Sequence, residues 1–336
     1  MARIVRPGTE ADLDALLDLA RLGGPGLTSL PECADTLGHR LALSAASFAG
    51  TIPAAEAWYT LMLEESDTGQ VIGVASVRGA IGVARPHFSF RVVKLAQHSN
   101  AAGVNFEHEA LVLVNECAGA SEVGSLFVHP EHRGGGNGTL LAASRYMLIA
   151  AARDRFADKI VSELRGWFDW EGESPFWEGV SAKFFRLPFE EADRMITASN
   201  GQFLVDLAPR HPIYLELIEP FARDVIGEVH PDGRAARKML ESEGFSWTGL
   251  VDVFDGGPTV TCARDKIDTI RRTTPCTVAV NDNVAAAPSR LVANDAIERF
   301  RVTHAPVDIC DGNAHIPAST ARMLGLDAGS QILVRA

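Results

Sequence analysis

Apolar positions recur along this chain with two periods, and the switches between them mark out its elements. Arg3 to Arg6 reads as a short strand that ends at the Pro7-Gly8 turn. Thr9-x-x-Asp12 then places a short capping side chain ahead of Leu13, Leu16, Leu17 and Leu19, the apolar run of a first helix. That helix should stop near Gly23-Gly24-Pro25-Gly26, and after Leu27-Thr28-Ser29-Leu30-Pro31 a second should run from Cys33 to about Phe48. Trp58 to Glu65 and Val71 to Gly82 read as strands joined at Ser66-Asp67-Thr68-Gly69, which has turn chemistry. Ser89 to Leu95, Ala110 to Asn115 and Val123 to Val128 are further strands. His129 to Gly138 is a loop, Thr139 to Phe156 a helix and Lys159 to Leu164 a strand. A helix entered at Pro175 should reach Phe185.

The second half repeats this mixture. It predicts a strand at Phe203 to Leu207, a helix after Pro212 and a helix from Arg234 to Ser242 that ends at Gly244. Strands follow at Ser246 to Val253 and Pro258 to Ala263, around the turn Asp255-Gly256-Gly257. Thr273 to Arg290 is rich in small residues without helical period and reads as a linker. Leu291 to Ala336 reads as a small, mostly β tail with one helix, Pro317 to Leu324. Strands alternating with helices make this an α/β (α+β) chain. Its expected portions are 1–197, a second α/β portion at 198–272, and a linker with a β-rich tail at 273–336.

Composition narrows the class. The chain has 336 residues, 46% hydrophobic and 22% charged, which fits a folded globular protein and excludes wholesale disorder. Its formal net charge is −12, which argues against a nucleic-acid partner while leaving room for a local basic pocket. No apolar run approaches the roughly 18 residues a membrane helix needs, so no membrane partner is expected. The N-terminal stretch lacks the apolar core and cleavage site of a signal peptide. Five cysteines, Cys33, Cys117, Cys262, Cys276 and Cys310, with no C-x-x-C spacing, suit a reducing cytoplasm better than a disulfide framework or a zinc ribbon.

The sharpest chemical signal is Arg133-Gly134-Gly135-Gly136-Asn137-Gly138, between a strand and a helix. Glycines let the backbone take positive φ and approach a ligand, and a helix start offers unpaired N–H groups, so the segment has the makings of a phosphate cradle. A P-loop would need a lysine before Thr139, and a dinucleotide fingerprint would need glycine where Leu141 stands. The spacing R-x-x-G-x-G, as Arg133, Gly136 and Gly138, resembles the pyrophosphate loop of the GNAT superfamily of acyl-CoA N-acyltransferases. The plain alternative is a glycine-rich turn with no ligand.

The resemblance extends further. Gly26-Leu27-Thr28-Ser29-Leu30-Pro31, Ser125-Leu126-Phe127-Val128, Glu163-Leu164-Arg165-Gly166, Ser174-Pro175-Phe176-Trp177 and His211-Pro212-Ile213-Tyr214 occur in order. They are followed by Ile226-Gly227-Glu228-Val229-His230-Pro231, Glu243-Gly244-Phe245 and Asp252-Val253-Phe254-Asp255-Gly256-Gly257-Pro258-Thr259, and in the tail by Leu291-Val292-Ala293-Asn294 and Phe300-Arg301-Val302. Together these resemble the arginine N-succinyltransferase family over essentially the whole chain. His129 stands where an acidic residue is more usual, and Gly134-Gly135 where charged residues are frequent. The resemblance implies a GNAT-like fold and transfer of succinyl from succinyl-CoA, a co-substrate with no permanently bound cofactor, to the α-amino group of L-arginine; relatives sometimes use ornithine. It implies a homo-oligomer or pairing with a related subunit. It places CoA on the main chain of Leu126, Phe127 and Val128 and on Arg133, Gly134, Gly135, Gly136, Asn137 and Gly138, and makes His230 the proton donor.

Read as residues alone, the candidates are less sharp. Leu126 to Val128 is also an ordinary buried strand, and His230 shares its His-Pro context with His129 and His211. His129 and His132 are three apart but lack a third ligand at a recognisable spacing, so no metal is expected. Nothing resembles G-x-S-x-G, which favours direct transfer over an acyl-enzyme. Tyr214 is held in reserve as an acid. Thr28 and Ser29 are candidate hydroxyls for the acceptor, and Glu32, Glu116, Glu122 and Asp255 all remain open as the acid that meets its guanidinium. A related acyltransferase with another amine or acyl-CoA, and a non-catalytic acyl-CoA sensor, are the competing functions.

Overall fold

The computed structural model describes residues 2–24, 27, 29–199 and 201–336, with all their side chains except those of 196–198. In chain order it runs β1 (Arg3–Pro7), α1 (Leu13–Gly23), α2 (Ala34–Ala49), β2 (Trp58–Glu65), β3 (Val71–Arg78), β4 (Ser89–Ser99), β5 (Val104–Val114), β6 (Ser121–Val128), α3 (Asn137–Ala151) and β7 (Lys159–Glu163). It continues with α4 (Ala182–Phe185), α5 (Phe189–Ala198), α6 (Gln202–Leu207), β8 (Ile213–Tyr214), α7 (Pro220–Arg223), α8 (Arg234–Ser242), β9 (Ser246–Asp252), β10 (Pro258–Ala263) and α9 (Asp268–Arg272). The tail holds β11 (Thr273–Val280), β12 (Ser289–Asn294), β13 (Val302–Pro306), β14 (Asp308–Cys310), β15 (Asn313–Ile316), α10 (Ala318–Leu324) and β16 (Gln331–Arg335).

Two compact units emerge, and both are discontinuous in sequence. One comprises Met1–Ala80, Ser121–Ile160 and Ala263–Ala336; the other comprises Ile81–Ala120 and Val161–Cys262. They cut across the consecutive portions 1–197, 198–272 and 273–336 because pairing, not sequence distance, assembles them. In the first unit the strand order is β14-β15-β11-β16-β12-β13-β1-β2-β3-β6. The tail joins it through β1, where Val5 pairs antiparallel with Val302 and the Thr303 hydroxyl donates to the Arg3 carbonyl at 2.6 Å. On its other edge β1 pairs with β2.

The first helix forms as the pattern requires. The Thr9 N–H and hydroxyl both donate to Asp12 Oδ2, at 2.8 and 2.9 Å, ahead of α1. Leu16 and Leu19 of α1 pack with Leu37 and Leu41 of α2, and with Met62, Val74 and Phe127 from the sheet. The tail has its own core around Val278, Val292, Ile316, Leu324, Ile332 and Val334.

The second unit is built on the order β7-β10-β9-β4-β5-β8. Its core stacks aromatic rings: Trp177 lies 5.3 Å from Phe254 and 5.7 Å from Phe185, nearly parallel to both. Across the two units the sequence reading needs three corrections. Phe203 to Leu207, expected as a strand, is the helix α6, because Phe203 and Leu204 turn together onto the Trp177 core. The segment after Pro212 is a two-residue strand followed by a 3-10 turn rather than a helix, because Ile213 and Tyr214 pair with Leu111 and Ala110. In the first unit, Thr273 to Val280 is the ordered strand β11 rather than a linker, paired with β16 on one side and β15 on the other.

Candidate active site

The donor-side candidates lie on β6, the following loop and α3, all in the first unit. β6 pairs antiparallel with β3, but the register shifts: Val74 faces Phe127 and Ser76 faces Gly124. Two residues, Ser125 and Leu126, therefore stand opposite one. This bulge carries a strain signature, since Ser125 has φ +50. Leu126, half-exposed, has no register partner on β3, whereas Phe127 and Val128 continue the ladder opposite Val74 and Gly73. Ser125 was not singled out from the sequence; a lone serine in an apolar strand gives no warning of positive φ.

Beyond the strand, a short 3-10 turn at Pro130–His132 leads into the glycines. Buried Glu65 anchors it, 3.4 Å from His132 Nδ1 while also paired with Arg3 at 2.8 Å. Arg133 lies over the Phe127 ring at 5.6 Å and donates from Nε to the Val128 carbonyl at 3.3 Å. Gly134, Gly135 and Gly136 take φ of +90, +58 and +83. A Cβ placed on any of them, or on Gly138, would meet nothing within 4 Å. Gly134, Gly135 and Gly136 are thus required by backbone conformation and not by crowding, and the turn leaves open space on its outer side. Asn137 is buried and donates from Nδ2 to the His132 carbonyl at 2.8 Å, closing the loop onto α3. The N–H groups of Gly135, Gly136, Gly138 and Thr139 make no backbone hydrogen bond among the described residues. Free donors at the start of a fifteen-residue helix are the kind of group that suits an anion.

On the acceptor side, Thr28 lies outside the described residues. Ser29 is described, and its carbonyl rather than its hydroxyl is engaged: it accepts from Arg40 Nη1 at 2.6 Å and from Ser125 Oγ at 3.1 Å. Ser125 Oγ in turn accepts from Ser76 Oγ at 2.9 Å, so the strained bulge is tied to the loop after α1.

His230 belongs to the second unit, at the cap of the 3-10 turn Pro231–Gly233. Its Nδ1 accepts the Asp232 N–H at 3.2 Å, which leaves Nε2 as the atom that carries the hydrogen in the neutral ring. His129 makes the same cap on its own His-Pro turn, accepting the Glu131 N–H at 3.3 Å. What distinguishes His230 is its surroundings. Its N–H donates to the Arg165 carbonyl at 3.0 Å, its ring lies 6.4 Å from Phe168, and the Arg165 guanidinium lies 4.7 Å over that same Phe168 ring. Burial first, and the Arg165 charge second, push the imidazole below its usual range, against the pull of Asp232.

The four acids left open for a guanidinium are now separated. Glu116 is paired with Arg91, and Glu122 with Arg78 at 2.9 Å. Asp255 is buried and spends both oxygens on backbone N–H groups, Gly166 and Gly257, each at 2.8 Å. Glu32 is exposed and has no ion pair among the described residues. Tyr214 packs edge-on against His108, with ring centres 5.7 Å apart. Next to Asp255, Asp252 is pushed well above the usual carboxylate range by burial and by the neighbouring charges of Asp255 and Glu163.

The model of the arginine N-succinyltransferase beta subunit family matches residues 3–269, and that of its C-terminal domain matches 275–334. The arginine N-succinyltransferase subunit beta of Pseudomonas aeruginosa is 39% identical over 329 residues, covering 98% of this chain and 96% of that protein. The arginine N-succinyltransferase of Enterobacter sp. (strain 638) is 42% identical over 299 residues, covering 89% of this chain and 87% of that one. Among solved structures, that of arginine/ornithine succinyltransferase subunit AI from Pseudomonas aeruginosa superposes with a TM-score of 0.90 at 29% identity, covering 100% of this chain and 98% of that one. A mixed α/β fold, an open glycine turn at a helix start and relatedness along the whole length converge: the chain is an acyltransferase and belongs to the arginine N-succinyltransferase family.

Proposed function

We propose that this chain transfers the succinyl group of succinyl-CoA to the α-amino group of L-arginine, in the cytoplasm and without a permanently bound cofactor. The observation that carries the reading is the run of three left-handed glycines, open to solvent and backed by free N–H groups, on a chain related over nearly its full length to arginine N-succinyltransferases. The residues at the turn from Arg133 to Gly138 hold the pyrophosphate. The main chain at the Leu126 bulge is free of β3 to bind the pantetheine arm. The neutral α-amine of arginine attacks the thioester carbonyl directly, forming the C–N bond. The tetrahedral intermediate then expels the thiolate, which takes a proton from Nε2 of the His230 imidazolium, while the attacking nitrogen releases its extra proton to solvent. Five free cysteines agree with a reducing compartment.

Ornithine is the second acceptor to consider, because the superposing structure is that of an arginine/ornithine succinyltransferase. The test is thiol release from succinyl-CoA and from acetyl-CoA against a panel of amino acids. Turnover with succinyl-CoA and arginine supports the reading. Turnover confined to another acyl donor or another amine, or CoA binding without thiol release, overturns it.

A further inference from the structure

Arg165 leaves β7 in the sequence Glu163-Leu164-Arg165-Gly166, and its backbone is held from two sides. Its carbonyl accepts the His230 N–H, the next residue bridges Val229, and the Gly166 N–H donates to buried Asp255. The side chain is placed as firmly, half-buried with its guanidinium over Phe168. Yet this guanidinium makes no hydrogen bond or ion pair with any described residue, and its Nε is fully buried without a partner. Arg6, Arg78, Arg91 and Arg264, by contrast, each pair with a carboxylate. Asp255 and Asp232 act on Arg165 from beyond ion-pair distance, and both Asp255 oxygens are already taken. A desolvated cation with its donors unmet is costly, and the cost is relieved when an anion completes it. The planar fork of a guanidinium matches a carboxylate with two parallel hydrogen bonds, and stacking on an aromatic ring fixes the fork in advance.

We propose that Arg165 is a substrate-binding residue whose guanidinium receives a free carboxylate: the α-carboxylate of the amino-acid acceptor or the distal carboxylate of the succinyl donor. The proposal rests on the reading above only in taking the substrates to carry such groups. Arg165 adjoins the His230 peptide, so a carboxylate seated on it is fixed relative to that imidazole.

The experiment is calorimetric titration of the full chain, wild type and Arg165→Gln, with two matched pairs of ligands. Arginine is compared with agmatine, which lacks the α-carboxylate, and succinyl-CoA with butyryl-CoA, which lacks the distal one. In one pair, wild type should prefer the carboxylate-bearing ligand, and Arg165→Gln should bind that ligand roughly 10- to 100-fold more weakly while binding its partner unchanged. The pair that responds identifies the source. Arg165→Lys keeps the charge but loses the fork, so it should recover part of the affinity; it also serves if the glutamine variant fails to fold. Equal losses for both members of each pair, or none for either, overturn the proposal. Binding is read without turnover, so a wild type that binds but releases no thiol counts against the reaction and not against Arg165.

Discussion

Replacing Gly136 separates two roles that the turn combines. Gly136 caps α3 with φ +83 and ψ 2, and a Cβ there meets no protein atom within 4 Å. Left-handed backbone costs a non-glycine residue roughly 1–2 kcal/mol, and a β-branched side chain sits at the upper end or beyond. Gly136→Ala should therefore lower stability by about 1 kcal/mol and Gly136→Val by about 2 kcal/mol or somewhat more, with no added penalty from a clash inside the protein. The larger effect should fall on CoA, because the open space that the Cβ enters is where a pyrophosphate would approach the backbone. Losing two or three charge-assisted backbone contacts, at roughly 1.5 kcal/mol or more each, weakens CoA by 10²-fold or more.

The control is Gly325→Val. Gly325 ends α10 with φ +66, and a Cβ there is also unopposed, so the backbone penalty is of the same kind in a part of the fold with no glycine cradle. Thermal melts and a CoA titration are run on both variants. Both should melt earlier by a similar amount, and only Gly136→Val should lose CoA. An unchanged CoA affinity in Gly136→Val, or an equal loss in Gly325→Val, would falsify the assignment of the turn as the pyrophosphate site.

Four further outcomes are expected. His230→Ala should lower kcat by about 10²- to 10⁴-fold with CoA binding intact, whereas His129→Ala, which removes a ring with the same local cap, should leave kcat within a few-fold; similar small losses in both would reduce His230 to a turn residue. If the imidazolium is the donor, kcat falls as pH rises through a pKa held below the ordinary 6.5, the need for a neutral amine pulls the other way, and a bell-shaped profile results. Asp252 binds its proton more tightly folded than unfolded, so its contribution to stability is complete below about pH 4 and is lost as pH rises through the raised folded value. Asp252→Asn keeps an oxygen for the Phe254 and Asp255 N–H groups, so melts should show it at or above wild type near pH 8 and level with it near pH 4; a variant less stable at pH 8 refutes the buried-charge argument. Sedimentation at micromolar concentration should show an oligomer, and a species of one chain's mass alone would contradict association of this chain with itself.

How much of this was legible in the sequence depends on the reach of the cause. The glycine turn was legible because its cause is local: a strand, glycines free to take positive φ, and a helix start occupy one stretch of 18 residues, Ser121 to Gly138. The helix of Arg234 to Ser242 and the strand of Pro258 to Ala263 were read at their observed bounds for the same reason, since period and punctuation agree there. Where neighbours decide, local reading failed. Phe203 and Leu204 suit a strand by propensity, but both are buried in the core of Trp177, Phe185 and Phe254 as residues of a helix. The small residues of Thr273 to Val280 look like a linker until strands on both sides claim their backbone. The long hairpin of β4 and β5 was read as two shorter strands because its distal half, toward His98 and Asn105, is largely exposed and packs against no core that would mark its few apolar residues as a strand face.

The site divides along the same line. Arg133, Gly136 and Gly138 announce themselves by spacing, because they act through their own backbone and its immediate neighbours. Arg165, Asp255 and Ser125 do not, because each acquires its meaning from a partner far away in the chain. Asp255 matters for the two N–H groups it holds, one of them 89 residues earlier. Ser125 matters for a register shift against β3 and for a carbonyl 96 residues earlier. Arg165 takes its interest from a missing partner, which only a folded neighbourhood can reveal: in a chain with 43 acidic residues, its half-buried guanidinium meets no carboxylate among the described residues. Burial first, and the Arg165 charge second, hold the His230 imidazole below its usual range. A substrate carboxylate seated on Arg165 would relieve the second of these causes and leave the first in place.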